Sequence, residues 1–146
     1  MAITLGGDFT VRKSPEETYT FLTDAKRFAP LLPDFESVDV QDAEHFTVKV
    51  KVGISHIRGT ATVKMNLTEG DKPRRALYKG KGSMAGGEVD LNAGFDLEPD
   101  AAGTRVKWKG EAQIFGRLTS IAGGLLEPLA RKNIQKVVES LQQALG

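Results

Sequence analysis

The sequence predicts an α+β fold: a curved antiparallel sheet of about seven strands wrapped around a long C-terminal helix, with two short helices between the first two strands. Three observations predict it. Apolar and polar residues alternate with period two from residue 35 to 115. A 3.6-residue period returns only in the last thirty residues. Short Gly- and Asp-containing turns separate the strands, which favours antiparallel neighbours over parallel crossovers.

The run "LGGDFTV" reads as the first strand and "SPEETYTFLTD" as a helix with a strong start. Ser14 can cap the free amides, Pro15 suits the first helical position, and Glu17 completes a capping box. Pro30 and Pro33 end a second short helix and lead into the next strand. Phe46, Val48, Val50 and Val52 then alternate with Thr47, Lys49 and Lys51, as in a strand with one wet face. Ile57, Gly59, Ala61, Val63, Met65 and Leu67 share a face in the following run. Three more strands come from "KPRRALYKGKGSM", "GEVDLNAGFDLEP" and "GTRVKWKGEAQIF", with turns at Gly70-Asp71, Gly86-Gly87 and Asp100 to Gly103. Leu118, Ile121, Ala122, Leu125, Leu129, Ile134, Val137, Val138, Leu141 and Leu145 mark the helix, which alone is long enough to cover the apolar face of the sheet.

Composition narrows the function. The chain has 146 residues and 40% apolar content, enough for one domain with a real core. Its 20 basic and 19 acidic residues are interspersed, so nucleic acid is not an expected partner. Without cysteine there is no thiolate chemistry or disulfide framework, and His45 and His56 are too few for a histidine-rich metal site. No cofactor or metal is expected. The start "MAITLGGDFTV" lacks the features of a signal peptide, and no run of 18 apolar residues occurs, so a cytoplasmic soluble protein is expected.

Residue size on the inward faces is the most informative pattern. Gly59 and Ala61, then Ala76, Tyr78, Gly80, Gly82 and Met84, then Val89, Leu91, Ala93, Phe95 and Leu97, then Val106, Trp108, Gly110, Ala112 and Ile114 are read as inward. Small residues recur in mid-strand. They curve the sheet around the helix, leave volume for an apolar ligand, or do both. The cavity-lining candidates are Tyr78, Trp108, Phe95, Met65, Leu125, Gly80 and Gly110. Glu88, Asp90, Asp96, Glu111 and His56 fall on the opposite parity, so no catalytic residue is assigned. The outward faces carry Lys49, Lys51, Arg58, Lys64, Arg75, Lys79, Lys81, Arg105, Lys107 and Lys109, a solvated surface or one able to touch anionic lipid or an acidic partner transiently. Gly123, Gly124 and Pro128 interrupt the long helix, and a bend there is either static or a gate over the cavity.

The stretches "GDFTVRKSPEETYTFLTDAKRFAPLLPDFESV", "FTVKVKVGISHIRGTATVKM", "YKGKGSMAGGEVDLNAGFDLEPDAAGTRVKW" and "GRLTSIAGGLLEPLARKNIQKVVESL" together resemble the START-like, helix-grip (SRPBCC) superfamily. More closely, they resemble the CoxG family associated with carbon monoxide dehydrogenases. The resemblance spans residues 3 to 143 and implies a single START-like helix-grip domain, residues 1–146, enclosing a hydrophobic cavity. It also implies a link to molybdenum hydroxylases of the carbon monoxide dehydrogenase type, and for some members quinone binding and membrane association through a C-terminal tail. The chain stops at Gly146, so attachment by that route is not expected here. The leading expectation is a non-catalytic carrier or sensor of a quinone, isoprenoid or lipid, in the cytoplasm with transient contact at the inner face of the membrane. The alternatives are a cyclase or dehydratase, and an assembly or chaperone module for a redox-enzyme partner with an exposed apolar patch at Phe28, Leu31, Leu32 and Phe35.

Overall fold

A computed structural model describes residues 1–54, 57–84 and 87–146; within these, the side chains of residues 57, 118 and 120–123 are not described. His56, Gly86 in its turn, the side chains of Ile57, Leu118, Ile121 and Ala122, and the surroundings of Gly123 therefore lie outside the described residues. Seven antiparallel strands form one sheet: β1 (Ala2–Val11), β2 (Phe35–Val40), β3 (His45–Ile54), β4 (Ile57–Asp71), β5 (Arg75–Met84), β6 (Gly87–Asp100) and β7 (Gly103–Phe115). Their spatial order is β1-β7-β6-β5-β4-β3-β2. From β2 to β7 each strand pairs with its sequence neighbour, as short connections require; only β1 crosses over, to the free edge of β7.

Between β1 and β2 lie α1 (Pro15–Thr23), α2 (Ala25–Phe28) and a 3-10 turn at Ala29–Leu31. The start of α1 is made as its residues dictate: the Ser14 hydroxyl accepts from the Glu17 N–H at 3.2 Å, and Pro15 occupies the first turn. Asp24 caps α2 in the same way, accepting from the Lys26 N–H. The long helix α3 (Arg117–Ala144) follows Gly116, whose φ of 91° is open to glycine and strained for other residues, and it continues through Pro128.

The helix divides the interior into two packed regions. Toward its C-terminal end Leu141 and Leu145, with Val137, pack on Val11, Tyr19, Phe21, Ala76, Leu97 and Val106. The Leu145 carbonyl accepts from the N–H groups of Arg12 and Lys13 at 2.9 and 3.1 Å, which pins this end to the segment after β1. Toward the N-terminal end Leu126, Leu129, Ala130 and Ile134 pack on Ile3, Leu5, Ile54 and Ile114. Burying each such aliphatic side chain is worth roughly 1.5–3 kcal/mol. The helix lies close to β1, β7 and β6.

Phe28 and Leu31 turn inward against the first of these regions, and Leu32 and Phe35 are half-buried. This corrects the expectation of an exposed apolar patch there: none of the four is exposed, and Phe28 and Leu31 pack against the core. The turn read at Gly70-Asp71 is also displaced, because β4 continues to Asp71 before the chain reverses at Lys72 to Arg74.

Candidate functional site

Strand register converts the inward residues into rows across the sheet. One row runs Leu5, Gly110, Ala93, Tyr78 and Leu67 from β1 to β4. The next runs Ile3, Ala112, Leu91, Gly80, Met65, Phe46 and Val40 from β1 to β2. On the β1 side these rows are sealed, with Ile3 and Leu5 buried under the helix. Beyond β7 they open: Leu91, Tyr78, Gly80, Met65 and Phe46 are only partly buried and Ala93 is exposed; at neighbouring positions of β4, Val63 is partly buried and Gly59 exposed. An apolar face left half-open between two packed regions is the candidate site.

Aromatic groups shape its floor and one end. The Phe46 and Tyr78 rings meet edge-on with centroids 6.1 Å apart, and Tyr19 of α1 meets Phe95 edge-on at 6.0 Å. Trp108 lies beside Phe95 in register and lines the β7 flank. Burial pushes the Tyr78 phenol up to about 12, with a smaller contribution from nearby Tyr19, so the hydroxyl is a neutral donor across the physiological range. Among the described residues it has no hydrogen-bond partner.

The small residues divide into two groups. A side chain on Gly80 would collide with the Met65 thioether, and one on Gly82 with the Val89 methyl, so neighbouring side chains already occupy those spaces. Among the described residues, a side chain over Gly110 would come no nearer than 3.9 Å to another atom, and over Gly59 and Gly124 nothing lies within 4 Å. Among the described residues, free volume therefore sits over Gly110, beside the exposed Ala93, in the centre of the first row.

Of the seven lining candidates, Tyr78, Phe95, Trp108, Met65, Gly80 and Gly110 stand on this inner face. Leu125 does not pack there: it is 52% exposed, and the helix turns Leu126 to Ile3, Leu5 and Ile114 instead. Gly124 and Pro128 are exposed on the helix. Phe46 and Leu91 belong to the site but were not among the candidates; only register across two hairpins sets them beside Met65 and Gly80.

The outer face has a shallow groove of about 430 Å³ over β5, β6 and β7. Its floor is Leu77 seated on Gly94, and its walls include Arg75, Lys79, Lys107 and Lys109. Arg75 is answered by Asp96 at 3.7 Å and Lys107 by Glu98 at 3.1 Å. Asp90 and Glu111 are exposed on this outer side, away from Tyr78. Among the described residues no cluster of three His, Asp or Glu could hold a metal ion, and no helix is long and apolar enough to cross a membrane. Among the described residues the His45 ring pairs with Asp42 alone, at 2.8 Å at the exposed start of β3, and this contact holds the Asp42 carboxyl below its usual range.

A seven-stranded antiparallel sheet closed on a C-terminal helix defines the START-like, helix-grip class, and solved structures agree. The chain is similar to a conserved protein from Geobacillus kaustophilus (17% identity, TM-score 0.86, covering 98% of this chain and 95% of that one). It is similar to a START superfamily protein from Mycobacterium smegmatis (9% identity, TM-score 0.70, covering 99% and 96%). It also resembles the di-domain ARO/CYC StfQ of the steffimycin biosynthetic pathway (12% identity, TM-score 0.69), covering 99% of this chain and 50% of that one. Within the class, the chain belongs to the CoxG family of carbon monoxide dehydrogenase subunits, which it matches over residues 7–146. No curated protein matches it.

Proposed function

We propose that this chain binds and carries an apolar small molecule, of the quinone, isoprenoid or lipid kind, between α3 and the inner faces of β3 to β7. The carrying observation is that Ala93, Gly110, Tyr78, Leu91 and Met65 lie on the face turned to the helix yet remain partly open, with free space over Gly110. Natural interiors close such space unless a guest fills it. The ligand would lie along Phe46, Met65, Leu91, Phe95 and Trp108, with Tyr78 offering one neutral donor to an uncharged acceptor group. Gly123, Gly124 and Pro128 would govern access from the helix side.

Membership in the CoxG family supports a role beside an enzyme of the carbon monoxide dehydrogenase type. We propose in addition that this enzyme is a molybdenum hydroxylase and that the chain works in the cytoplasm with transient contact at the membrane. A carrier fits better than a cyclase, because Asp90 and Glu111 point to solvent and Tyr78 has no described base beside it. The test is organic extraction of freshly purified protein followed by mass spectrometry, with native mass spectrometry of the intact complex. An apolar compound in fixed proportion to protein is expected. Protein that carries none, together with an experimental structure whose interior is filled by its own side chains, would overturn the reading.

A further inference from the structure

The edge formed by β1 is open in a defined stretch. Met1 donates its N–H to the Ile114 carbonyl at 3.2 Å and accepts from the Ile114 N–H at 2.8 Å. The ladder then runs to Val11 and Thr104 without a register shift. Alternation in an antiparallel pair therefore commits the N–H and C=O groups of Ile3, Leu5, Gly7, Phe9 and Val11 to β7 and turns those of Ala2, Thr4, Gly6, Asp8 and Thr10 away from the sheet. Thr10 shows this directly, since its outward carbonyl accepts from the Gln142 side chain at 3.3 Å. That contact closes the edge at Thr10. From Ala2 to Asp8 the outward groups have no partner among the described residues, and Ala2, Thr4, Gly6 and Asp8 are exposed.

The opposite edge is protected. There β2 is six residues long, shifts register between Phe35 and Ser37, carries Glu36 and Asp39, and lies against the 3-10 turn. Such features discourage edge-to-edge pairing. In β1 there is neither proline nor lysine, and its one charge, Asp8, is held by Arg105 at 2.9 Å on the adjacent strand.

We infer that β1 pairs antiparallel with β1 of a second copy about a two-fold axis at Leu5, joining the two sheets edge to edge. The open residues are symmetric about Leu5: Ala2 stands opposite Asp8 and Thr4 opposite Gly6, in both directions. Every outward N–H and C=O of the stretch is then used, and Asp8 faces Ala2 rather than another carboxylate. Moving the axis to Gly6 would set Ala2 against Thr10, whose carbonyl already accepts from the Gln142 side chain. A second copy is the occupant whose outward groups match this stretch in length and symmetry.

The test is light scattering and sedimentation of the whole chain over a concentration series, with hydrogen exchange read at Thr4 and Gly6. Wild type is expected to form a dimer whose Thr4 and Gly6 amides are protected and lose protection on dilution. Thr4→Pro removes an outward N–H and no bond within the chain, so a folded monomer is expected. Thr4→Lys, which keeps the backbone intact, should weaken the dimer if the proline variant fails to fold. A wild-type monomer with rapid exchange at both amides would overturn the inference. So would a folded Thr4→Pro dimer, or amides protected only when a different protein is added.

Discussion

The Trp108 indole lies against the backbone of Gly7, so that a side chain at residue 7 would begin 3.3 Å from ring atoms Cζ2 and Nε1. The two residues are directly opposed in the β1–β7 ladder. Trp108 is half-buried and packs along the cavity flank, so its ring is not locked on every side. Gly7→Val should displace the ring toward the candidate site and reduce uptake of an apolar fluorescent probe several-fold. The strand gains a better β-former in exchange, so stability should change by under about 1 kcal/mol. Tryptophan emission and probe titration check this; unchanged probe affinity would argue that Trp108 does not bound the site.

Tyr78 makes stability depend on alkaline pH. Its pKa in the folded chain is raised to about 12 from 10.0, so the unfolded chain loses this proton first as pH rises. The folded state then holds more protons than the unfolded one, and stability falls between pH 10 and 12 while remaining level below. Tyr19 is raised as well, by burial first and then by Asp71, and adds in the same direction. Thermal unfolding across this window should show a smaller alkaline loss in Tyr78→Phe than in wild type, and an equal loss in both would contradict the buried phenol.

Pro128 lies inside α3 and is exposed. A proline in a helix interior costs roughly 3 kcal/mol relative to alanine, because it has no N–H for the carbonyl four residues back, here that of Gly124. Pro128→Ala should raise the unfolding temperature. If this segment gates the cavity, the variant should also release ligand more slowly in stopped-flow exchange. A more stable protein with wild-type exchange would leave Pro128 a static feature.

Leu141 and Leu126 anchor opposite ends of the helix, at 4% and 8% exposure, in different packed regions. Each truncation to alanine should cost about 2–5 kcal/mol. Their functional effects should differ. Leu141→Ala removes contacts beside Tyr19 and Leu97, while Leu126→Ala loosens the helix over Ile3 and Leu5, next to the open rows, and should speed probe exchange more. Denaturant unfolding and probe kinetics on the two variants check the distinction. Leu125→Ala, at a 52% exposed neighbour, should change stability by under about 1 kcal/mol.

The sheet, the cap of α1 and the alternation of faces along β3 and β5 to β7 were readable from the chain itself. Alternate side chains of a strand point to opposite sides by covalent geometry, so Tyr78, Phe95 and Trp108 could be placed inward before any partner strand was known. Ser14 and Pro15 likewise mark the start of α1 through local bonds alone. Cross-strand neighbours and helix rotation are different in kind. That Gly80 is filled by Met65 while Gly110 is open depends on the register of β4, including its shift between Leu67 and Glu69. That Leu126 rather than Leu125 faces the sheet depends on how α3 settles on Ile3, Leu5 and Ile114. Periodicity and residue type are enough to settle the layers, the strand faces and the apolar, cysteine-free chemistry of the interior, because each is a local property of the chain. Where space remains in that interior, and which edge of the sheet stays open, had to await the folded molecule, because both are set by contacts between residues far apart in the chain.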